Sequence, residues 1–334
     1  MSPALPPGTR GLFSVLQAAL QHTERHRVRI TARIHELARD FLALVSSLHE
    51  RPTRLPELVP TAPSDIGACD ACQTGMGGVW FDAVDPTSAP IIWRQQFPDS
   101  VARSLVSFDN PNGTLSISDL ESAAVIAHTD SVARLRDVRE RTLWIASDNR
   151  AAVAWATKGS ATSLAARSHL LRFNAIHQRQ HRYVARHHHI PGKLNAMADD
   201  ASRLWHLTES QLLTHFDSRF PQNKPWRMQT LAFATNTSLI GALSRKRANL
   251  ASLLNDNPLP PLRGPSGRPS VPAWASAPPG PPTSTLSLYC NSSPSATEQV
   301  ASPPDASLFD LARWKRPYEQ WVRRTPDWGP LTLA

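Results

Sequence analysis

Apolar and polar positions recur along this chain with two different periods, and the switches between them mark its elements. Near the start, Ile30, Ile34, Leu37, Phe41, Leu44 and Leu48 stand at helical spacing among Arg, His and Glu. Residues 1–60 therefore predict a helical lead-in whose apolar face needs a partner surface. Arg51 to Pro63 carries four prolines and ends it. Ile66 to Cys72 and Met76 to Phe81 are short apolar segments around glycines at 75, 77 and 78, which predicts two strands joined by a tight turn. Pro90 to Phe97 and Ser104 to Phe108 also have strand character, and Asn110 to Gly113 is a turn.

From Ser118 the period lengthens. A helix is expected over 118–134, a strand over 143–147, a helix over 150–158 stopped by Gly159, a longer helix over 163–181, a strand over 183–190 and a helix from Asn195. Alternating strands and helices over 61–207 predict an α/β domain built on a mixed sheet with flanking helices. Helical pieces continue through 208–256, one of them holding the basic run Arg245-Lys246-Arg247. Segment 257–305 concentrates about a dozen of the chain's 30 prolines among Ser and Thr. That composition cannot bury enough apolar surface to order itself, so a disordered linker is expected. Residues 306–334 regain aromatic and basic character and predict a short helix opening a further region.

Charge changes the picture next. The 334 residues include 36 Lys and Arg against 27 Asp and Glu, a net charge of +9, which favours a polyanionic partner. Three cysteines are too few for a disulfide framework and suggest a reducing compartment. Cys69 and Cys72 have zinc-like spacing, but no second cysteine pair follows, and only His187 to His189 could complete such a site. Without a secretory leader or an apolar run of spanning length, the expectation is a cytoplasmic or nuclear protein, not secreted and without membrane contact.

One carboxylate stands out. Asp70 lies inside an apolar strand, where a charge is expensive to bury unless it is paired or bound to a cation. Its candidate partners sit at element edges: Glu121 near a helix start, Asp148 where a strand gives way to a helix, and Asp199 in the first turn of the helix after Asn195. Hard divalent cations suit such an oxygen-rich set. Each acid also has a plainer role. Ser118 to Glu121 reads as a capping box, Asp148 as an N-cap, and Asp199 and Asp200 as first-turn acids facing the helix dipole.

The order Asp70, Glu121, Asp148, Asp199, each on its own element, resembles the ribonuclease H domain of reverse transcriptases. Asp70-Ala-Cys-Gln-Thr-Gly-Met-Gly-Gly78 resembles that family's first-strand motif in retroelements, and Ser147-Asp148-Asn149 its third. His189 to Arg203 resembles its closing motif, which assigns Asp199 to the site and leaves Asp200 as a solvated neighbour. The wider chain is most similar to DIRS-like retroelement polyproteins, with residues 1–60 as the end of a reverse transcriptase region and 306–334 as the start of a truncated recombinase. Ser122 and Ala201 depart from the family's usual Leu at packing positions.

The resemblance implies a ribonuclease H-like fold over 61–207 and two-metal phosphodiester cleavage with Mg2+, or Mn2+ in its place. Asp70 would bridge both ions, Glu121 and Asp148 would share one, and Asp199 would hold the other. His189 would assist proton movement or product release. The implied substrate is the RNA strand of an RNA/DNA hybrid, read through 2'-hydroxyls and phosphates. Arg167, Arg172, Arg179, Arg182, Arg186 and Lys193 are the candidates for gripping it. Related exonucleases open with Asp-x-Glu and transposases close with Glu, and neither pattern occurs here. The non-enzymatic alternative is a retroelement fragment that only binds nucleic acid through its basic surface.

Overall fold

In the computed structural model, residues 31–50, 52–85, 87–159 and 166–244 are described. The expected linker, the helix at 306–334, the basic run Arg245-Lys246-Arg247 and the first half of the lead-in lie outside them. The elements begin with α1 (Ala32–Glu50), β1 (Pro63–Ala71), β2 (Gly75–Asp82), β3 (Ile91–Gln96), α2 (Asp99–Arg103) and α3 (Ile117–Leu135). They continue with β4 (Thr142–Ser147), α4 (Arg150–Lys158), α5 (Ala166–His181), β5 (Val184–His189), α6 (Ala196–Arg203), α7 (Glu209–Arg219), β6 (Arg227–Gln229) and α8 (Phe233–Leu243). The six strands form one sheet in the order β5-β4-β1-β2-β3-β6. β1, β2 and β3 are antiparallel neighbours, whereas β4 runs parallel to β1, β5 to β4 and β6 to β3. Among the described residues no helix is long and apolar enough to cross a membrane.

Side chains of a strand alternate between faces, and here both faces are covered. Cys69, Ala71, Met76, Trp80, Ile91 and Trp93 join the core made by α3, α5 and α8. Val79, Phe81 and Ile92 point the other way, onto Met197 and Ala201 of α6 and onto Leu212, Phe216, Phe220 and Trp226. The central hairpin closes where Cys72 N–H donates to Gly75 O at 2.8 Å. Gly77 pairs with Asp70 across it. A Cβ on Gly77 would stand 2.6 Å from the carbonyl carbon of Ala201, so the backbone of α6 lies directly on β2, an approach only glycine permits.

The fold does not end at 207. β6 extends the sheet, Trp226 meets Phe81 edge-on at 5.4 Å, and Leu239, Ala242 and Leu243 enter the core with α3 and α5. Residues 208–243 are thus part of the same packing unit, because their apolar side chains belong to the core clusters on both faces of the sheet. The strand expected over 104–108 is absent: Leu105 makes a lone bridge to Leu115, and Phe108 is fully exposed. The lead-in helix finds its partner in α5, where Leu44 and Leu48 pack on Ala175. Asp40 accepts two hydrogen bonds from buried Arg172, at 2.6 and 3.1 Å.

Replacing Gly77 with Ala forces β2 and α6 apart. Chemical denaturation should show a loss of about 1–3 kcal/mol, the usual range for overpacking a filled core, and an unchanged midpoint would contradict the close approach.

Candidate metal centre

Local hydrogen bonding leaves the acids available. The helix expected to be capped by Ser118 and Glu121 instead starts two residues earlier: Ser116 caps α3 and forms the capping box with Asp119. Asn149, not Asp148, caps α4, accepting from Ala152 N–H at 3.0 Å, and Gly159 stops that helix in the left-handed conformation, φ 59°. Glu121 and Asp148 are therefore spared the plainer roles open to them.

Asp70 is 2 % exposed and Glu121 4 %, while Asp148, just past β4, is half-buried. One carboxylate oxygen from each of the three lies within 4.8 Å of the other two. Ser202 Oγ on α6 donates to Asp70 Oδ2 at 2.5 Å. Ser147 Oγ stands 3.5 Å from Glu121 Oε2. Gly192 abuts Asp148, since a Cβ there would sit 3.0 Å from Oδ2. Burial, then the charges of Asp70 and Asp148, push Glu121 from 4.5 up to about 9. Asp70 is raised too, by burial first and by Asp148 and Asp199, against the opposing Ser202 hydrogen bond. Three crowded oxygen donors of this kind could hold a metal ion, whose charge offsets their repulsion.

Asp199 is outside this 4.8 Å group, although its charge reaches Asp70. It lies on α6, 45 % exposed, and its Oδ1 accepts from Arg203 Nε one turn on at 2.5 Å, so three acids converge where four were expected. Asp200, expected to be solvated, is buried instead and bonded to Arg219 at 2.6 Å and His215 at 2.7 Å. His189 ends β5 with Nε2 3.1 Å from the Asp148 carbonyl oxygen. Burial and then Arg150 lower its pKa. Cys69 and Cys72 are free thiols, and among the described residues they belong to no ligand cluster.

The expected phosphate grip is largely internal. Arg172 is buried on Asp40, Arg179 is buried 3.6 Å from Glu57, and Arg182 ties Glu57 to Glu140 at 2.6 and 3.0 Å. Arg167 stacks on Trp155 at 4.1 Å near Asp119, and Arg186 is half-buried in the edge strand β5. Of the six, Lys193 alone is exposed. The arginines of α5 face protein because α1, α8 and the turn holding Glu57 cover that helix. Sequence reasoning missed Ser202, although Ser-Arg closes the motif that contains Asp199. It also missed Asn195, which is buried with Nδ2 donating to Cys69 O at 3.2 Å.

Comparison of the chain with protein-family models, curated proteins and solved structures found no match.

The raised Glu121 sets a pH dependence. Between its unfolded and folded pKa values, about 4.5 and about 9, the folded protein holds a proton that the unfolded chain has lost. Glu121's contribution to stability is therefore greatest at the acid end of that window and falls as pH rises through it. Buried neutral His128, His181, His187 and His188 act the other way at acid pH, so in chelator the melting temperature should drop above the histidine range, from neutral pH towards about 9. Saturating divalent cation should flatten the drop, and Glu121→Gln should remove most of it. Identical profiles for wild-type protein and Glu121→Gln without cation would disprove the crowding.

Proposed function

We propose that this protein is a retroelement-derived ribonuclease H that uses Mg2+ or Mn2+ to hydrolyse the RNA strand of RNA/DNA hybrids. The observation that carries the reading is the meeting of Asp70, Glu121 and Asp148, three acids from separate motifs, within 4.8 Å. Each occupies the element that the resemblance to the ribonuclease H family calls for.

Divalent cations bound by these carboxylates would neutralise phosphate charge and make a bound water more acidic. Ser202 orients Asp70 through its hydroxyl. Glu121 must lose its proton before it ligates, so loading rises with pH. His189 is neutral near pH 7 because its pKa is lowered. With Nε2–H donated to the Asp148 carbonyl, its Nδ1 is left as a proton acceptor. Arg203 is 56 % exposed and can exchange Asp199 for a substrate phosphate, which would release the fourth acid to the site. Lys193, in the turn Gly192–Leu194 that abuts Asp148, is a further exposed cation beside the site, as is Arg150 at the start of α4.

The binding-only alternative draws support from the net charge of +9 and from the Asp199–Arg203 pair, which occupies an acid the chemistry would need. Incubating the full chain with Mg2+ and a labelled hybrid separates the two. Hydrolysis of the RNA strand, abolished by chelator and slowed roughly a thousandfold (about 4 kcal/mol) by Asp70→Asn, supports the nuclease. Retention of hybrid without cleavage by either protein, weakening steeply with salt, supports binding alone.

A further inference from the structure

Away from the carboxylates, α3 and α5 meet in a second cluster of ligand-type side chains. His177 and His181 are four residues apart on α5, so their rings share one helix face. Asp130 approaches from α3. One ligand atom from each of the three lies within 4.8 Å of the other two, and all three residues are buried. The imidazole rings stand 4.3 Å apart between centroids, at 37°. Paired histidines at this spacing on a helix are a frequent way of presenting two nitrogens to one ion.

A second, independent feature points to a ligand. His181 is 3 % exposed, yet its Nε2 has no hydrogen-bond partner among the described residues. An orphaned buried polar atom of that kind destabilises the fold unless something binds it. The surroundings are arranged as outer contacts of a metal site are. His177 Nδ1 lies 2.9 Å from the Tyr183 hydroxyl, a contact that directs Nε2 towards Asp130 Oδ1 at 3.2 Å. Arg134 Nε donates to the other carboxylate oxygen, Oδ2, at 2.7 Å, leaving Oδ1 for an inward partner. Ligating histidines commonly hold their second nitrogen in this way, which sets tautomer and ring orientation.

We propose that Asp130, His177 and His181 bind a divalent cation of the borderline class, zinc above all, as a buried clasp between α3 and α5. Two imidazoles and a carboxylate are a zinc-type donor set with one position left for water. The oxygen-only set around Asp70 instead suits hard cations. Asp130 and Glu121 stand nine residues apart on α3, about 13 Å along its axis, so the two centres share a helix but no ligand. Arg134 is an unfavourable neighbour, because its charge competes with the ion for Asp130. The proposal does not depend on the nuclease reading.

Cobalt tests it directly. Full-chain protein freed of metal by chelator is titrated with Co2+, followed by visible absorption, and then challenged with Zn2+. The expected result is one tightly bound Co2+ with the strong absorption of a four-coordinate site, displaced by Zn2+, which also raises the melting temperature. The signal should persist in Asp70→Asn and vanish in His181→Gln. Tyr183→Phe should weaken binding about tenfold, whereas Arg134→Gln should strengthen it, a direction that a purely hydrogen-bonded cluster would not produce. Absence of the cobalt signal and of zinc stabilisation in folded wild-type protein would overturn the proposal. So would a signal lost in Asp70→Asn but kept in His181→Gln.

Discussion

Three carboxylates within 4.8 Å of one another, two of them almost removed from water, are the constraint around which this structure is built. Like charges that close, in a medium of low polarity, cannot all be ionised without help. The fold supplies part of that help as hydrogen-bond donors: Ser202 to Asp70, Ser147 to Glu121, and the backbone of Ala71 to Glu121. The rest is left to a proton on Glu121 or to a cation. The first possibility destabilises the folded state as pH rises, and the second removes that liability, so ion binding and stability are coupled at this point.

The geometry behind that crowding is mostly backbone geometry. Because Gly77 lacks a side chain, α6 sits on β2 opposite Asp70, close enough for Ser202 to reach it. Because Ser116 with Asp119 and then Asn149 satisfy the free N–H groups of α3 and α4, Glu121 and Asp148 are not consumed as caps. Polar residues next to the site thus perform the local structural tasks, and the acids are kept for the site itself.

Much of the arginine charge also has a structural use. Arg172 anchors α1 through Asp40, Arg182 holds the turn at Glu57, and Arg136 bridges Asp65 and Asp82 across β1 and β2. Pairs like these are destabilising to break from one side, since the remaining charge is stranded away from water. Exposed cations such as Lys193 and Arg203 are better placed to meet the polyanion of the proposed reaction than the buried arginines of α5.

Periodicity and short-range chemistry were enough to read most elements from the sequence: the hairpin around Gly75, the helix stopped by Gly159, the strand before Asp148 and the apolar face carrying Leu44 and Leu48. Such signals act over a few residues and survive in any context. Asp70, Glu121 and Asp148 were also legible as candidates, because a carboxylate in an apolar strand or at an element edge is conspicuous by itself. What depended on residues distant in the chain was decided only by tertiary packing. That Asp200 is buried on Arg219 and His215, that α5's arginines face inward and that residues 208–243 complete the core all follow from which surfaces meet. A local pattern can say that a side chain is charged, but its solvent exposure and its partner are set by other elements, from 15 residues away for Asp200 and His215 to 132 for Arg172 and Asp40.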